Sequence, residues 1–438
     1  MSQPVSNKWT GGYHCLFRKR GSFFRYFVCS SSFVLALCGS QPVVAGPERD
    51  DTDQGSGDDV RGHSAFASSR SVEGELADTD DRQIEGPLKG FRAWKKGIET
   101  RTGLNFGFDN IAHYLRSDSD SSPSNALSNV TRIYGTWTAT GRNTPDSGAL
   151  IFKLENRSAV GSHISTQALG PSLGYAGLFA STYSDAGLVL TNLYWRKWFA
   201  GGRGGFVVGQ VDVYDYTNVN SISSPWTGFT NLEFQQQPTF GGPSQGLGAA
   251  MQWRLSDRWT VLGGLANANG DPSDPLDSAE KLFDSGETFK HLALGWSPEW
   301  GNRYDDMVQL TIWQIDERKE ASVEGGHGLS FAASTSSGRW RHFLRAGYAK
   351  DAGVILDRAV SMGLGYDARE GRDLAGVGVA WGRVPDSSRD QYTLEAFYRY
   401  DWTDFLQLTP SIQYVVNPAD DPESSNILVL GARFRVFF

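Results

Sequence analysis

Residues 426–438 read Asn426-Ile427-Leu428-Val429-Leu430-Gly431-Ala432-Arg433-Phe434-Arg435-Val436-Phe437-Phe438. Side chains alternate across a strand, so one face carries Leu428, Leu430, Ala432, Phe434, Val436 and Phe438. The other carries Val429, Gly431, Arg433, Arg435 and Phe437. The first face is wholly apolar. The second holds two arginines near its middle, which a soluble two-sheet core tolerates only beside paired carboxylates and a water-filled lumen accepts readily. The stretch alone leaves two readings, an edge strand of a soluble β protein or one stave of a transmembrane β-barrel.

The same contrast recurs upstream. Leu150, Phe152 and Leu154 oppose Lys153, Glu155 and Arg157; Tyr392, Leu394, Ala396 and Tyr398 oppose Thr393, Glu395 and Arg399; Val308, Leu310 and Ile312 oppose Gln309 and Thr311. Period-two segments separated by Gly, Pro, Asp, Asn and Ser clusters fall at 104–111, 129–138, 149–157, 189–198, 206–214, 247–255, 259–266, 291–298, 306–314, 328–334, 341–349, 359–366, 376–382, 391–400, 406–416 and 426–438. About sixteen strands, an even number, suit a closed antiparallel barrel. Trp and Tyr gather near strand ends (Trp195, Trp198, Trp259, Trp296, Trp300, Tyr304, Trp381, Tyr398, Tyr400, Trp402), as aromatic girdles do at two membrane interfaces. The expectation is an all-β fold, a transmembrane antiparallel β-barrel over residues 104–438 with its apolar faces toward lipid.

Composition agrees. The 438 residues include 51 Gly, 14 Trp, 16 Tyr and 25 Phe but only 4 Met, a mixture suited to tightly paired strands. Beyond the leader, no apolar run approaches the roughly 18 residues of a spanning helix. The formal charge of −8 argues against nucleic-acid partners.

Ahead of the barrel, Arg18, Lys19, Arg20 and Arg25 precede an apolar segment containing Phe33-Val34-Leu35-Ala36-Leu37 and then Val43-Val44-Ala45, which reads as a signal peptide over 1–45. Leu37 is too bulky for a lipoprotein box before Cys38. Cys15, Cys29 and Cys38 all lie in this leader, so the expected mature chain has no disulfide and no thiolate metal site. Residues 46–86 are polar and acidic and read as a disordered linker. Over 87–103, Leu88, Phe91, Trp94 and Ile98 fall at helical spacing among Lys89, Arg92, Lys95 and Lys96, a short amphipathic helix capped by Gly103, packed beneath the barrel or across its mouth. The terminal Phe438 resembles the signal that bacterial outer-membrane barrels present to their assembly machinery.

Residues 158–188 and 216–246 are too long for turns, and are expected outside the barrel or folded into it as constrictions. The second is rich in Asn, Gln and aromatic residues (Asn218, Asn220, Trp226, Phe229, Asn231, Phe234, Gln235, Gln236, Gln237), groups that suit the hydroxyls and C–H faces of a sugar.

The runs 206–216 (FVVGQVDVYDY), 152–157 (FKLENR), 389–399 (RDQYTLEAFYR) and Leu408-Thr409-Pro410-Ser411-Ile412-Gln413-Tyr414 with Asn417-Pro418 resemble the carbohydrate-selective outer-membrane porins of the glucose-porin type. The resemblance covers about residues 88–438 and implies a sixteen-stranded barrel passing monosaccharides by facilitated diffusion across the outer membrane of a Gram-negative bacterium. The acidic segment 46–86 departs from that pattern.

Lys153, Glu155, Arg157, Asp212, Glu395, Arg399, Arg433 and Arg435 are lumen-facing by parity. Of these, Glu155, Arg157, Glu395 and Arg399, with an aromatic from 218–243, are the expected eyelet, against the plainer reading that inward charges brace the wall. No cofactor is expected. The histidines beyond the leader (His63, His113, His163, His291, His327, His342) form no pair at metal spacing and no nucleophile set, which disfavours a barrel hydrolase. Asp271, Asp274 and Asp277 could hold calcium but read better as a solvated loop. Gly363-x-Gly365 and Gly376-x-Gly378 read as small residues in crowded strands. Within transport, the competing reading is a general or anion-leaning diffusion pore.

Overall fold

The computed structural model describes residues 66–80, 88–119, 123–298, 304–385 and 389–438. The expected leader 1–45, the parts of the expected linker at 46–65 (with His63) and 81–86, Pro87 and Trp300 lie outside them. Sixteen strands form one closed sheet: β1 (Leu104–Ser117), β2 (Asn125–Thr140), β3 (Gly148–Ala159), β4 (Gly187–Phe199), β5 (Gly204–Val211), β6 (Gly246–Arg254), β7 (Trp259–Asn267), β8 (Thr288–Trp296), β9 (Met307–Ile315), β10 (Gly326–Ser337), β11 (Trp340–Asp351), β12 (Arg358–Ala368), β13 (Asp373–Arg383), β14 (Asp390–Thr403), β15 (Leu406–Val416) and β16 (Asn426–Phe437). Each pairs antiparallel with its sequence neighbours, and β16 closes the ring on β1 with His113 opposite Arg433 and Asp109 opposite Phe437. Every backbone ladder therefore finds a partner, the condition for strands to cross hydrocarbon.

The chain reverses through short turns at one rim and through long loops at the other. Along the strands burial alternates residue by residue, because outward side chains meet no protein and inward ones are covered. On β16 Leu430 and Phe434 are exposed while Arg433 and Arg435 are buried. Exposed aromatics form two bands, with Trp137, Trp259, Trp340, Tyr400 and Trp402 toward the short-turn rim and Tyr348, Tyr392 and Tyr414 toward the other. Trp198 does not join them. It faces inward, where the Phe66 ring packs 6.0 Å away.

Strand β5 ends at Val211, earlier than the alternation suggests, because the Asp212 carboxylate accepts the Tyr214 amide at 2.9 Å and turns the chain into one 3-10 turn at Val213–Asp215. The glycine pairs in β12 and β13 are crowded as expected: a Cβ on Gly376 would fall 2.3 Å from the Phe397 ring, and one on Gly378 would fall 2.8 Å from Phe234.

Among the described residues, two helices precede β1. The second, α2 (Lys89–Thr102), ends on Gly103 in the left-handed conformation, as the spacing predicts. It lies against the outer side of the short-turn rim, with Phe91 6.4 Å from Phe438 and Trp94 6.2 Å from Phe106, so it does not line the mouth. The first, α1 (Val72–Asp80), corrects the linker expectation. Residues 66–80 are ordered and sit inside the barrel, with Phe66, Val72 and Leu76 in the core formed with Tyr134, Ile151 and Trp198. Acidic composition disfavours a free-standing fold, but this segment borrows its core and its countercharges from the barrel wall.

Candidate constriction

Two loops turn into the lumen with α1. Residues 160–186 carry α3 (Thr166–Ser172), capped by Ser165, and residues 212–245 carry the 3-10 turn and α4 (Leu232–Gln235), capped by Asn231. Nearly all of 212–240 is buried, since wall residues aimed inward by strand parity hold its backbone. Glu395 on β14 accepts the Thr230 amide (2.9 Å), the Thr230 hydroxyl (3.0 Å) and the Asn231 amide (2.9 Å). Gln413 on β15 donates to the Phe179 carbonyl at 2.9 Å and accepts from the Asn231 side chain at 2.9 Å, tying both loops to one stave. Arg433 donates to the carbonyls of Pro225 (2.7 Å) and Gly228 (3.0 Å), and Arg345 to those of Phe234 and Gln236 (3.1 Å each). Phe229 fills the space between with Phe234 (5.1 Å) and Phe397 (4.9 Å). Within the loops, Glu233 accepts from Tyr175 (2.9 Å) and from Thr393 of β14 (2.7 Å), and burial raises its carboxyl above the ordinary range.

Charge collects on the adjoining wall, across β1 to β4 and β16. Arg132 clasps Asp109 with Nε at 2.7 Å and a second, shorter contact, and Arg435 reaches the same carboxylate at 2.9 Å. The Arg132 guanidinium stacks 4.0 Å from the Trp226 ring and 4.9 Å from Tyr134. Arg157 pairs with Glu155 at 2.6 Å. Asn192 donates to Asp215 at 3.0 Å, and burial pushes the Asp215 carboxyl up to about 7 despite the opposing pull of Lys153. From α1, Glu75 meets Arg132 at 2.6 Å and Lys153 at 3.5 Å, and Glu73 meets Arg196.

All eight residues read from parity are covered by protein, but they serve four arrangements. Lys153, Glu155, Arg157 and Arg435 join the charged wall. Glu395 and Arg433 anchor the inner loop. Arg399 pairs with Asp401 at 3.3 Å and donates to the Arg372 carbonyl near the short-turn rim. Asp212 caps the 3-10 turn and accepts from Gln245 at 2.6 Å, so it is no stave residue. The expected quartet of Glu155, Arg157, Glu395 and Arg399 therefore does not meet at one ring, because parity selects a face and says nothing of height along it. Asp109, Arg132 and Arg196 were absent from the expected set although all three alternate with outward residues (Phe108, Ile133, Trp195) by the same rule.

Asp271 and Asp274 serve local structure. Asp271 accepts from Ser273, and Asp274 caps α5 (Pro275–Ser285) by accepting from Asp277.

No curated protein matches the sequence. Among solved structures, the high-pH structure of OprB from Pseudomonas putida superposes with a TM-score of 0.63 over 80% of this chain and 97% of that one, at 16% identity. The low-pH structure of the same protein gives a TM-score of 0.50 at 14% identity, over 82% of this chain and 100% of that one. These likenesses bear on the fold alone, a closed sixteen-stranded antiparallel β-barrel. Residues 327–438, the stretch from β10 to β16 that includes the terminal strand, match the family model of the carbohydrate-selective porins, OprB family.

Proposed function

We propose that the chain is an outer-membrane porin that lets monosaccharides such as glucose diffuse down their gradient without covalent chemistry. The observation that carries this reading is the juxtaposition in the lumen of the Arg132–Asp109–Arg435 cluster with the inner loop. The loop brings the Trp226 ring onto the Arg132 guanidinium at 4.0 Å and lies among amide and hydroxyl groups. A sugar presents hydroxyls to fixed charges and amides and C–H faces to rings, so such a wall favours it over an equally small solute lacking either. The short-turn rim is then periplasmic and the long loops are outside. The leader over 1–45 directs export, and the strand ending at Phe438 engages the barrel assembly machinery.

Swelling of proteoliposomes in glucose, arabinose and maltose tests the reading. Glucose and arabinose should enter faster than maltose and faster than a neutral non-sugar of similar size. Equal entry of sugar and non-sugar would instead favour a general diffusion pore, and planar-bilayer currents with and without glucose separate that case from an anion-leaning one.

A further inference from the structure

The lumenal segment 66–80 brings to the wall what a solute would bring. Two of the acidic side chains on α1, Glu73 and Glu75, meet three cations on three successive staves, Arg132 of β2, Lys153 of β3 and Arg196 of β4. Strand register staggers these cations along the wall: Arg132 lies opposite Glu155, two residues from Lys153 on β3, and Arg196 lies opposite Ala149, four residues beyond Lys153 on the other side, so Glu75 bridges the first two and Glu73 meets the third. All three are buried, so each cation needs a counter-charge or pays for its desolvation. Arg132 shares Asp109 with Arg435 as well as Glu75. Arg196 is less well served: Glu73 meets its Nη1, its Nε is buried without a hydrogen-bond partner among the described residues, and its guanidinium lies 5.4 Å from the Trp198 ring. On that ring the segment lays its one aromatic, Phe66, which also meets Tyr216 edge-on at 5.4 Å. Carboxylates on arginine and lysine beside an apolar face on an aromatic platform are what a sugar acid offers.

We propose that Arg132, Lys153 and Arg196 form a carboxylate-binding track along the pore wall, that Glu75 and Glu73 occupy its two ends as a tethered ligand holding the lumen closed, and that the free ligand is a sugar acid of the hexuronate class. The substrate class rests on the sugar-channel reading, whereas the occupancy of the lumen does not.

Two variants of the full chain test it. The expected mature chain has no cysteine, and the Ser69 hydroxyl lies 3.3 Å from that of Ser223 on the inner loop, so Ser69→Cys/Ser223→Cys should form a disulfide that fixes the segment in place. In planar bilayers with potassium chloride the oxidised form should carry several-fold less current than after reduction. Equal currents, or failure of the pair to cross-link, would overturn the occupancy. In the second variant, Glu73→Gln/Glu75→Gln, the salt current should rise, and swelling in glucuronate should increase several-fold more than swelling in glucose. Adding Arg196→Gln should remove that glucuronate advantage. Equal gains for both solutes would overturn the carboxylate-binding track. A rise in salt current with no entry of any sugar would overturn the sugar-channel reading and the hexuronate assignment with it, leaving the tethered segment standing.

Discussion

Replacing Glu395 by Ala removes the acceptor for three hydrogen bonds that fix the tip of the inner loop, from the amides of Thr230 and Asn231 and from the Thr230 hydroxyl. The barrel ladder is untouched, since Glu395 pairs through its backbone with Gly378 and Gln413. A buried backbone N–H left without an acceptor costs about 1–3 kcal/mol, so two such groups lower the loop's opening free energy by about 2–6 kcal/mol. Gln413 keeps its bonds to Thr230 and Asn231, and water enters the space vacated, which favours the low end, about 2–3 kcal/mol. At roughly 1.4 kcal/mol per tenfold, hydrogen exchange of the 226–235 segment should quicken about 30–150-fold in detergent, with strand peptides unchanged and single-channel current noisier. Glu395→Gln should fall between, because its carbonyl still serves Thr230 while its amide faces the Asn231 N–H. Unchanged protection at Thr230 and Asn231 in the alanine variant would refute the claim that this carboxylate sets the loop.

Asp109→Ala leaves Arg132 and Arg435 sharing less counter-charge in a covered site; breaking such a cluster costs about 3–5 kcal/mol, and denaturant unfolding in detergent should register it, with Asp109→Asn milder. The folded carboxyl of Asp215 sits near 7, above the ordinary value near 4, so its contribution to stability is full below the unfolded pKa and is lost as pH rises through about 7. The wild type should melt lower at pH 8.5 than at pH 5.5, and Asp215→Asn should narrow that gap. Gly347 lies against the loop so closely that a Cβ there would fall 2.0 Å from the Thr239 hydroxyl; Gly347→Val should displace the loop and raise salt conductance while the barrel still forms. Deleting Phe438 removes a reciprocal backbone pair with Phe108 (2.9 and 3.3 Å) and the ring beside Phe91 and Phe405. Membrane insertion in cells should fall several-fold, while refolding into detergent should change little.

The barrel was legible in the sequence because each stave repeats one physical constraint, apolar outward and polar inward, and the sixteen expected segments all lie on observed strands with ends shifted by a few residues. Ends moved where a local hydrogen bond competes with the ladder, as at Asp212, which turns the chain after Val211. Residues 66–80 were illegible for a different reason. Their nine-residue helix is too short to be stable alone, and its apolar residues Phe66, Val72 and Leu76 are too sparse to announce a core. A faint signal was present in Ser71, whose hydroxyl accepts the Gly74 amide at 3.2 Å and so helps start α1. What orders the segment is an acidic pair meeting a basic wall, and that match exists only after β2, β3 and β4 are side by side.

The site shows the same limit more sharply. Arg433 and Arg435 share one face of one strand, two residues and about 7 Å apart along it, and the sequence offers no reason to separate them. Arg435 lies opposite Ile111 and Gln407, within reach of Asp109, and joins an ion-pair cluster. Arg433 lies opposite His113 and Thr409 and finds the carbonyls of Pro225 and Gly228, so it becomes an anchor for the loop. A guanidinium satisfies carboxylates and carbonyls alike through the same fork of donors, so its role is set by what register and an inserted loop place before it. Period-two patterning therefore identifies which charges line a barrel, while their division into wall and anchor is settled by contacts that only the closed barrel and its inserted loop create, such as Arg435 with Asp109 and Arg433 with Pro225.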